Sequence, residues 1–246
     1  MSPPLPDDAT FKGVAAVDRA LTILMCFSQS DDSLSLAELN AQTGFYKSTL
    51  LRLLASLELF GFIQQEESKK YRLGWAVGRL GTIYRQGLGL EKHIRPVLRA
   101  LQEATGESAS FYRREGDMRS CLFREESRHM VRDHVDEGAL LPLQVGAAGH
   151  VLNKFSGGTP EVELPVTSLG ERDPEVAAMA VPVLGVEATL IGALTVSGPV
   201  LRFTKERMAM LAPFLVQQGA ELSRVFGAMD ITVFKLPENL AQDERR

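Results

Sequence analysis

The chain has 246 residues, 45% hydrophobic and 24% charged, which excludes a disordered or fibrous protein and leaves room for two domains at roughly 150 residues each. Its two cysteines, Cys26 and Cys121, are too few for a disulfide framework or a four-thiolate metal site. The net charge of −4 is segregated: residues 1–44 carry −4, residues 45–85 carry +4, and the remainder carries −4.

Residues 1–13, with Pro3, Pro4, Pro6, Asp7 and Asp8, read as a disordered arm without the basic-then-apolar order of a signal peptide. No apolar run approaches the roughly 20 residues needed to span a bilayer, so a cytoplasmic protein is expected. Val17, Ala20, Leu21, Leu24 and Phe27 recur at helical spacing and predict an amphipathic helix from Val14 to Ser28, broken by Asp31-Asp32-Ser33. Ser35 and Glu38 form a capping box, opening a short helix to Gln42 with Leu36 and Leu39 inward. Thr43-Gly44-Phe45 is a tight turn in which Gly44 takes the left-handed backbone. The next helix runs from Lys47 to Phe60, with Leu50, Leu53, Leu54, Leu57 and Phe60 on one stripe and Ser48 and Arg52 opposite. Gly61 stops it, and Phe62-Ile63 and Tyr71-Arg72-Leu73 read as two strands around the polar turn from Gln64 to Lys70.

This order over residues 14–74 is that of a winged helix-turn-helix. A helix fits the major groove, and residues near its N-terminus reach base edges. Tyr46, Lys47, Ser48, Thr49 and Arg52 occupy that end, while Lys69 and Lys70 at the hairpin tip are placed to touch phosphate. The competing reading is a small helical bundle with a solvated basic face. The basic segment, capping box and hairpin together favour DNA.

The run Asp18-Arg19-Ala20-Leu21, Ile23-Leu24, Leu36-Ala37-Glu38-Leu39, Thr43-Gly44, Lys47-Ser48-Thr49, Arg52-Leu53-Leu54, Leu57, Gly61-Phe62 and Tyr71-Arg72-Leu73-Gly74 resembles the N-terminal domain of the isocitrate-lyase-regulator (IclR) family of bacterial transcription factors. The resemblance implies that the third helix reads double-stranded operator DNA, and that dimers recognise pseudo-palindromic sites.

Residues 75–90 read as a glycine-weakened linker helix holding Trp75, Leu80, Ile83 and Tyr84, and the resemblance implies that it also pairs subunits. A helix from Leu90 to Thr105 follows, with Ile94, Val97, Leu98 and Leu101 on one face and Gly106 as its stop. Strands are then predicted at Ser108–Arg113, Met118–Arg124 and Met130–Asp136, with a hairpin turn at Glu115-Gly116-Asp117. Ala147 to Leu152 opens a helix, Val176–Leu184 and Leu190–Ser197 are apolar strands, and Thr204 to Phe226 is a closing helix. Residues 91–228 thus form an α+β domain before a tail at 229–246.

This half resembles the IclR effector-binding domain, a GAF-like fold, through Leu141-Pro142-Leu143, Gly146-Ala147-Ala148-Gly149, Gly170-Glu171-Arg172, Ala180-Val181-Pro182-Val183 and Leu194 to Pro199. Only Phe155 to Thr167 fills an interval that is a longer helical segment in the family, and His150 replaces its usual lysine. Ala147, Ala148 and Gly149 at a helix start offer backbone N–H groups to an anion. Thr195 and Ser197, two apart on a strand, present two hydroxyls to one side. The resemblance adds Ser168 and Glu171 at the rim. Leu122, with Phe111 and Met130, is an apolar-wall candidate, though all three also suit core packing.

Cys121 with His129 or His134 invites a nucleophile–base reading, but no catalytic signature surrounds it, and His93, His129, His134 and His150 lack metal-ligand spacing. No enzyme, metal or cofactor is expected. The expected function is a homodimeric or dimer-of-dimers DNA-binding regulator, its operator affinity set by a small organic acid or aromatic metabolite. The alternative is a ligand-binding module that signals through protein partners without DNA.

Overall fold

The computed structural model describes residues 13–27, 33–87 and 89–235, and the chain divides after Leu88 into two units. The arm through Lys12, Ser28, the Asp31-Asp32 break, Leu88 and the tail beyond Lys235 lie outside the described residues, as does the side chain of Tyr84.

The first unit comprises α1 (Ala15–Leu24), α2 (Leu36–Thr43), α3 (Lys47–Leu59), β1 (Ile63–Gln65), β2 (Tyr71–Leu73) and α4 (Trp75–Gly87). Its core joins Ile23, Leu39, Leu50, Leu54 and Leu57 to Ile63 and Tyr71 of the hairpin. Leu34 exchanges two backbone hydrogen bonds with Tyr71, 2.8 and 2.7 Å, so the stretch before α2 is bridged to the hairpin at one residue.

The helix phases differ from expectation at two places. On α1 the fully buried side chain is Ile23, while Val17 and Leu21 are exposed with Val14 and Met25. Two apolar stripes run along this helix, and only the one carrying Ile23 meets the core. Phe60 is also exposed, because α3 ends at Leu59 and the following backbone leaves helical geometry before Gly61. The wing turn is tighter than predicted, since Gln64 and Gln65 pair with Arg72 and Tyr71 as strand residues.

The second unit contains α5 (Glu91–Thr105), β3 (Ser108–Glu115), β4 (Met118–Glu125), β5 (Leu140–Pro142), α6 (Ala147–Lys154), β6 (Val166–Leu169), β7 (Val176–Leu184), β8 (Leu190–Pro199) and α7 (Lys205–Val225). The strands form one antiparallel sheet in the order β5-β4-β3-β8-β7-β6. Alternation along β7 separates two faces. Val181 lies against Gly219 of α7, whereas Val176 and Ala178 look into a pocket beside α6.

Two strand assignments change. Val166–Leu169 is a strand, paired to Ala177–Ala180, at the end of and just beyond the short Phe155–Thr167 interval. Met130–Asp136 is not a strand but an extended loop. Its carbonyls go to side chains instead of a neighbouring strand: Arg202 donates to the Val131 carbonyl and Arg124 to that of Asp133. Met130 stands almost fully exposed, so its part in an apolar wall is withdrawn.

Candidate functional site

The first candidate surface is built by the turn between α2 and α3. The capping box is formed: the Glu38 amide donates to Ser35 Oγ at 3.2 Å and the Ser35 amide to Glu38 Oε2 at 2.7 Å. Gly44 caps α2 at φ 69°. Asn40 donates to the Phe45 carbonyl at 2.6 Å, and the Phe45 amide to Thr43 Oγ1 at 3.2 Å. These bonds fix the angle at which α3 leaves the turn.

At the start of α3, Tyr46 is 83% exposed; Lys47, Ser48 and Arg52 are exposed and Thr49 is half-buried. Neither Lys47 nor Arg52 makes an ion pair among the described residues. The wing is tied to α3 by the Gln65 amide donating to Glu58 at 2.9 Å, and it carries exposed Lys69 and Lys70 at its tip. Lys69 adopts a left-handed backbone, φ 66°, a cost that the tight turn imposes on a non-glycine residue.

The second candidate is the pocket beside α6. Thr195 and Ser197 of β8 line it, as do Val176 and Ala178 of β7, Ser168 of β6, and Gly146, Ala147 and Ala148 at the start of α6. Ser168 Oγ accepts from the Ala147 amide and Glu171 Oε2 from the Gly146 amide, both at 2.9 Å. Two N-terminal donors of the helix are therefore taken by the protein itself. Glu171 also pairs with His150 at 2.6 Å. Partial burial works to raise the Glu171 pKa, but the Gly146 amide and His150 outweigh it and hold the carboxyl below its usual value.

Three expected ligand residues, Gly149, Leu122 and Glu171, lie outside the pocket lining, Glu171 being held by the Gly146 amide and His150. A Cβ on Gly149 would stand 2.4 Å from the Leu143 carbonyl oxygen and 2.7 Å from Arg119, so this glycine serves close packing. Leu122 is the extra residue of a β-bulge: Phe111 pairs with Phe123, and Tyr112 already pairs with Cys121. The bulge reverses the alternation along β4, so that Arg124 and Arg119 both face the pocket side.

The charged side chains of the pocket are those that sequence reading missed. Asp133, on the loop mistaken for a strand, is 5% exposed. Its carboxylate accepts from Ser197 Oγ at 2.7 Å and from Arg172, with Arg124 at 3.8 Å. Arg119 is 3% exposed and donates to the carbonyls of Pro142 and Val145 while lying over the Tyr112 ring. Its Nε and the hydroxyl of Thr195 have no hydrogen-bond partner among the described residues. Burial pushes the Arg119 pKa down, and Arg172 adds to the shift. The one available signal was four arginines, Arg113, Arg114, Arg119 and Arg124, on or beside two predicted strands.

The nucleophile reading of Cys121 fails on geometry and acidity. Burial raises its thiol to about 12, and His134 is engaged by Glu126 and Asp136 at 2.9 and 3.1 Å. Among the described residues no group of three His, Cys, Asp or Glu side chains is placed to hold a metal. No helix there is long and apolar enough to cross a membrane.

Comparison with known proteins agrees with both halves. Residues 16–67 match the IclR helix-turn-helix domain. The transcriptional regulator BhcR of Paracoccus denitrificans is 25% identical, over 86% of this chain and 87% of its own. A solved IclR-type regulator from Silicibacter sp. TM1040 superposes with a TM-score of 0.74 at 26% identity, covering 89% of this chain and 99% of its own. An IclR homologue from Microbacterium hydrocarbonoxydans, solved with 4-hydroxybenzoate, shares the fold with a TM-score of 0.71 at 16% identity, over 85% of this chain and 98% of its own.

Proposed function

The chain belongs to the IclR family of transcriptional regulators, and from that premise we propose that α3 and the β1–β2 wing bind operator DNA with an affinity set by a small ligand in the second unit. The carrying observation is the set of exposed cations at the start of α3 and the wing tip. Exposed Lys and Arg release counterions on meeting phosphate, and an Arg near a helix N-terminus is suited to reach a guanine edge. In this reading Tyr46, Lys47, Ser48, Thr49 and Arg52 enter the major groove, and Lys69 and Lys70 hold the flanking backbone.

The effector is a small organic acid or an aromatic acid, bound among Ala147, Ala148, Ser168, Thr195 and Ser197. The pocket's cluster of arginines supports an anionic ligand, and the 4-hydroxybenzoate carried by one relative is of that class. The active species is a homodimer or dimer of dimers in the cytoplasm. The apolar stripe of Val14, Val17, Leu21 and Met25 on α1, and exposed Trp75, Leu80 and Ile83 on α4, supply surfaces for pairing.

The test is a gel shift with DNA from upstream of the protein's own gene, at moderate and high salt, with and without candidate acids. Specific binding that weakens linearly in log salt and responds to an acid is expected. Absence of DNA binding at low salt overturns the reading in favour of a module acting through protein partners.

A further inference from the structure

We propose that Asp133 determines ligand specificity by filling the Ser197 side of the pocket, which leaves Arg119 and Thr195 to receive a single short-chain monocarboxylate. This rests on the reading that the second unit holds the regulating ligand.

The pocket is divided by its own hydrogen bonds. On one side Asp133 is a resident carboxylate: Ser197 and Arg172 both donate to it, so the donors expected to hold a ligand acid are spent. The loop bringing it in is otherwise outward, with Met130 and Val131 exposed and only Asp133 and Val135 drawn beneath the surface. On the other side are two groups that folding alone does not satisfy. Buried polar atoms normally find partners, because leaving one unpaired costs its full desolvation. Here Arg119 Nε and Thr195 Oγ1 are both without one, on side chains 3% and 2% exposed that line the same pocket.

The charge balance points the same way. Arg172 is paired with Asp133, whereas Arg119 forms no ion pair among the described residues: it donates to backbone carbonyls, lies over the face of Tyr112 and feels Glu171 at longer range. A buried guanidinium with no carboxylate in contact has room for one anion. Size then selects which. The enclosed space of about 30 Å³ is small, so with Asp133 in place a short acid fits it more readily than an aromatic ring. The carboxylate would accept from Thr195 and Arg119, with the Ala148 amide at the open end of α6.

The test uses the full chain, with formate, acetate, propionate, benzoate and the neutral isostere acetamide as probes, read by thermal shift and calorimetry. Acetate should raise the melting temperature, while acetamide and benzoate leave it unchanged. Thr195→Val, which keeps the shape, should weaken acetate about tenfold against its own ligand-free baseline, the loss of one hydrogen bond to a charged group. Asp133→Ala opens the Ser197 side and should gain benzoate binding by about tenfold or more. If Asp133→Ala does not fold, acetate against acetamide and the Thr195→Val variant still decide. Acetamide binding as well as acetate, benzoate binding the native chain as tightly as acetate, or unaltered acetate affinity in Thr195→Val would each overturn the assignment. Parallel gel shifts keep the two readings apart. Acetate binding without any change in operator affinity breaks the regulatory reading and leaves the pocket assignment. A neutral or aromatic compound that alters operator affinity, where acetate does not bind, does the reverse.

Discussion

Lys47, Arg52, Lys69 and Lys70 of the first unit stand in solvent and form no ion pair among the described residues, whereas Arg119, Arg124 and Asp133 of the second are almost wholly enclosed. The physics of the two settings is different. A solvated cation costs nothing to keep, is screened over about 8 Å at physiological salt, and gives its energy to an approaching phosphate. An enclosed ion must be matched in the folded chain, and where the match is incomplete the gap describes a ligand. The first unit thus offers a surface whose chemistry is legible residue by residue; the second offers a site whose chemistry depends on what its residues already hold.

The sharpest way to break that comparison is to remove an enclosed charge. Glu107, fully buried, accepts two bonds from Arg202 at 2.6 and 2.7 Å. Glu107→Gln should destabilise the second unit by about 3–5 kcal/mol, seen as a lowered urea midpoint; a change under about 1 kcal/mol would place that pair with the solvent-screened ones.

Next in size is the core beneath the DNA-binding surface. Leu50→Ala at a fully buried position should cost about 2–5 kcal/mol in chemical denaturation, and operator binding should fall with it. The exposed Leu59, by contrast, should tolerate alanine with little loss of stability.

Exposed cations should act on binding and leave folding nearly untouched. Arg52→Ala should weaken specific operator binding by about 1–3 kcal/mol and relax sequence preference. Lys69→Ala should weaken all sequences alike and lower the salt slope by about 1. Unchanged gel-shift affinity in Arg52→Ala would move base reading away from α3.

The smallest effect belongs to the cap of α2. Ser35→Ala should cost about 1 kcal/mol. Bonds from the Ser35 amide and hydroxyl hold Glu38 below its usual 4.5. The folded-state pKa is the lower one, so the carboxylate's contribution is present above pH 4.5 and fades as pH falls through the depressed value. Melting curves of the native chain and Glu38→Gln should converge at the acid end of that window, whereas the Ser35→Ala difference, carried by a bond from the Glu38 amide, should persist.

Much of the first unit could be read locally. Ser35 and Glu38 are three residues apart, Gly44 ends a helix, and the leucines of α3 repeat at helical spacing, so each feature sits within one turn of its partner. The exceptions, Val17, Leu21 and Phe60, are apolar residues whose period was legible but whose side was not. Hydrophobicity shows that a face is buried, not by which body. In the second unit Thr195 and Ser197 were found because alternation along one strand is local. Asp133 was missed because its partners Arg172 and Ser197 lie 39 and 64 residues away, and Arg119 because a bulge at Leu122 turned it inward.

The segregated charge, the helix-turn-helix order and the two-part organisation were thus matters of sequence alone, since they arise from composition and short-range periodicity. Which apolar stripe of α1 meets the core, which face of β4 carries the arginines, and which carboxylate takes the Ser197 hydroxyl were decided by tertiary structure. Those outcomes rest on register and on pairings between distant segments, and a buried charge takes its meaning from the partner that the fold brings to it.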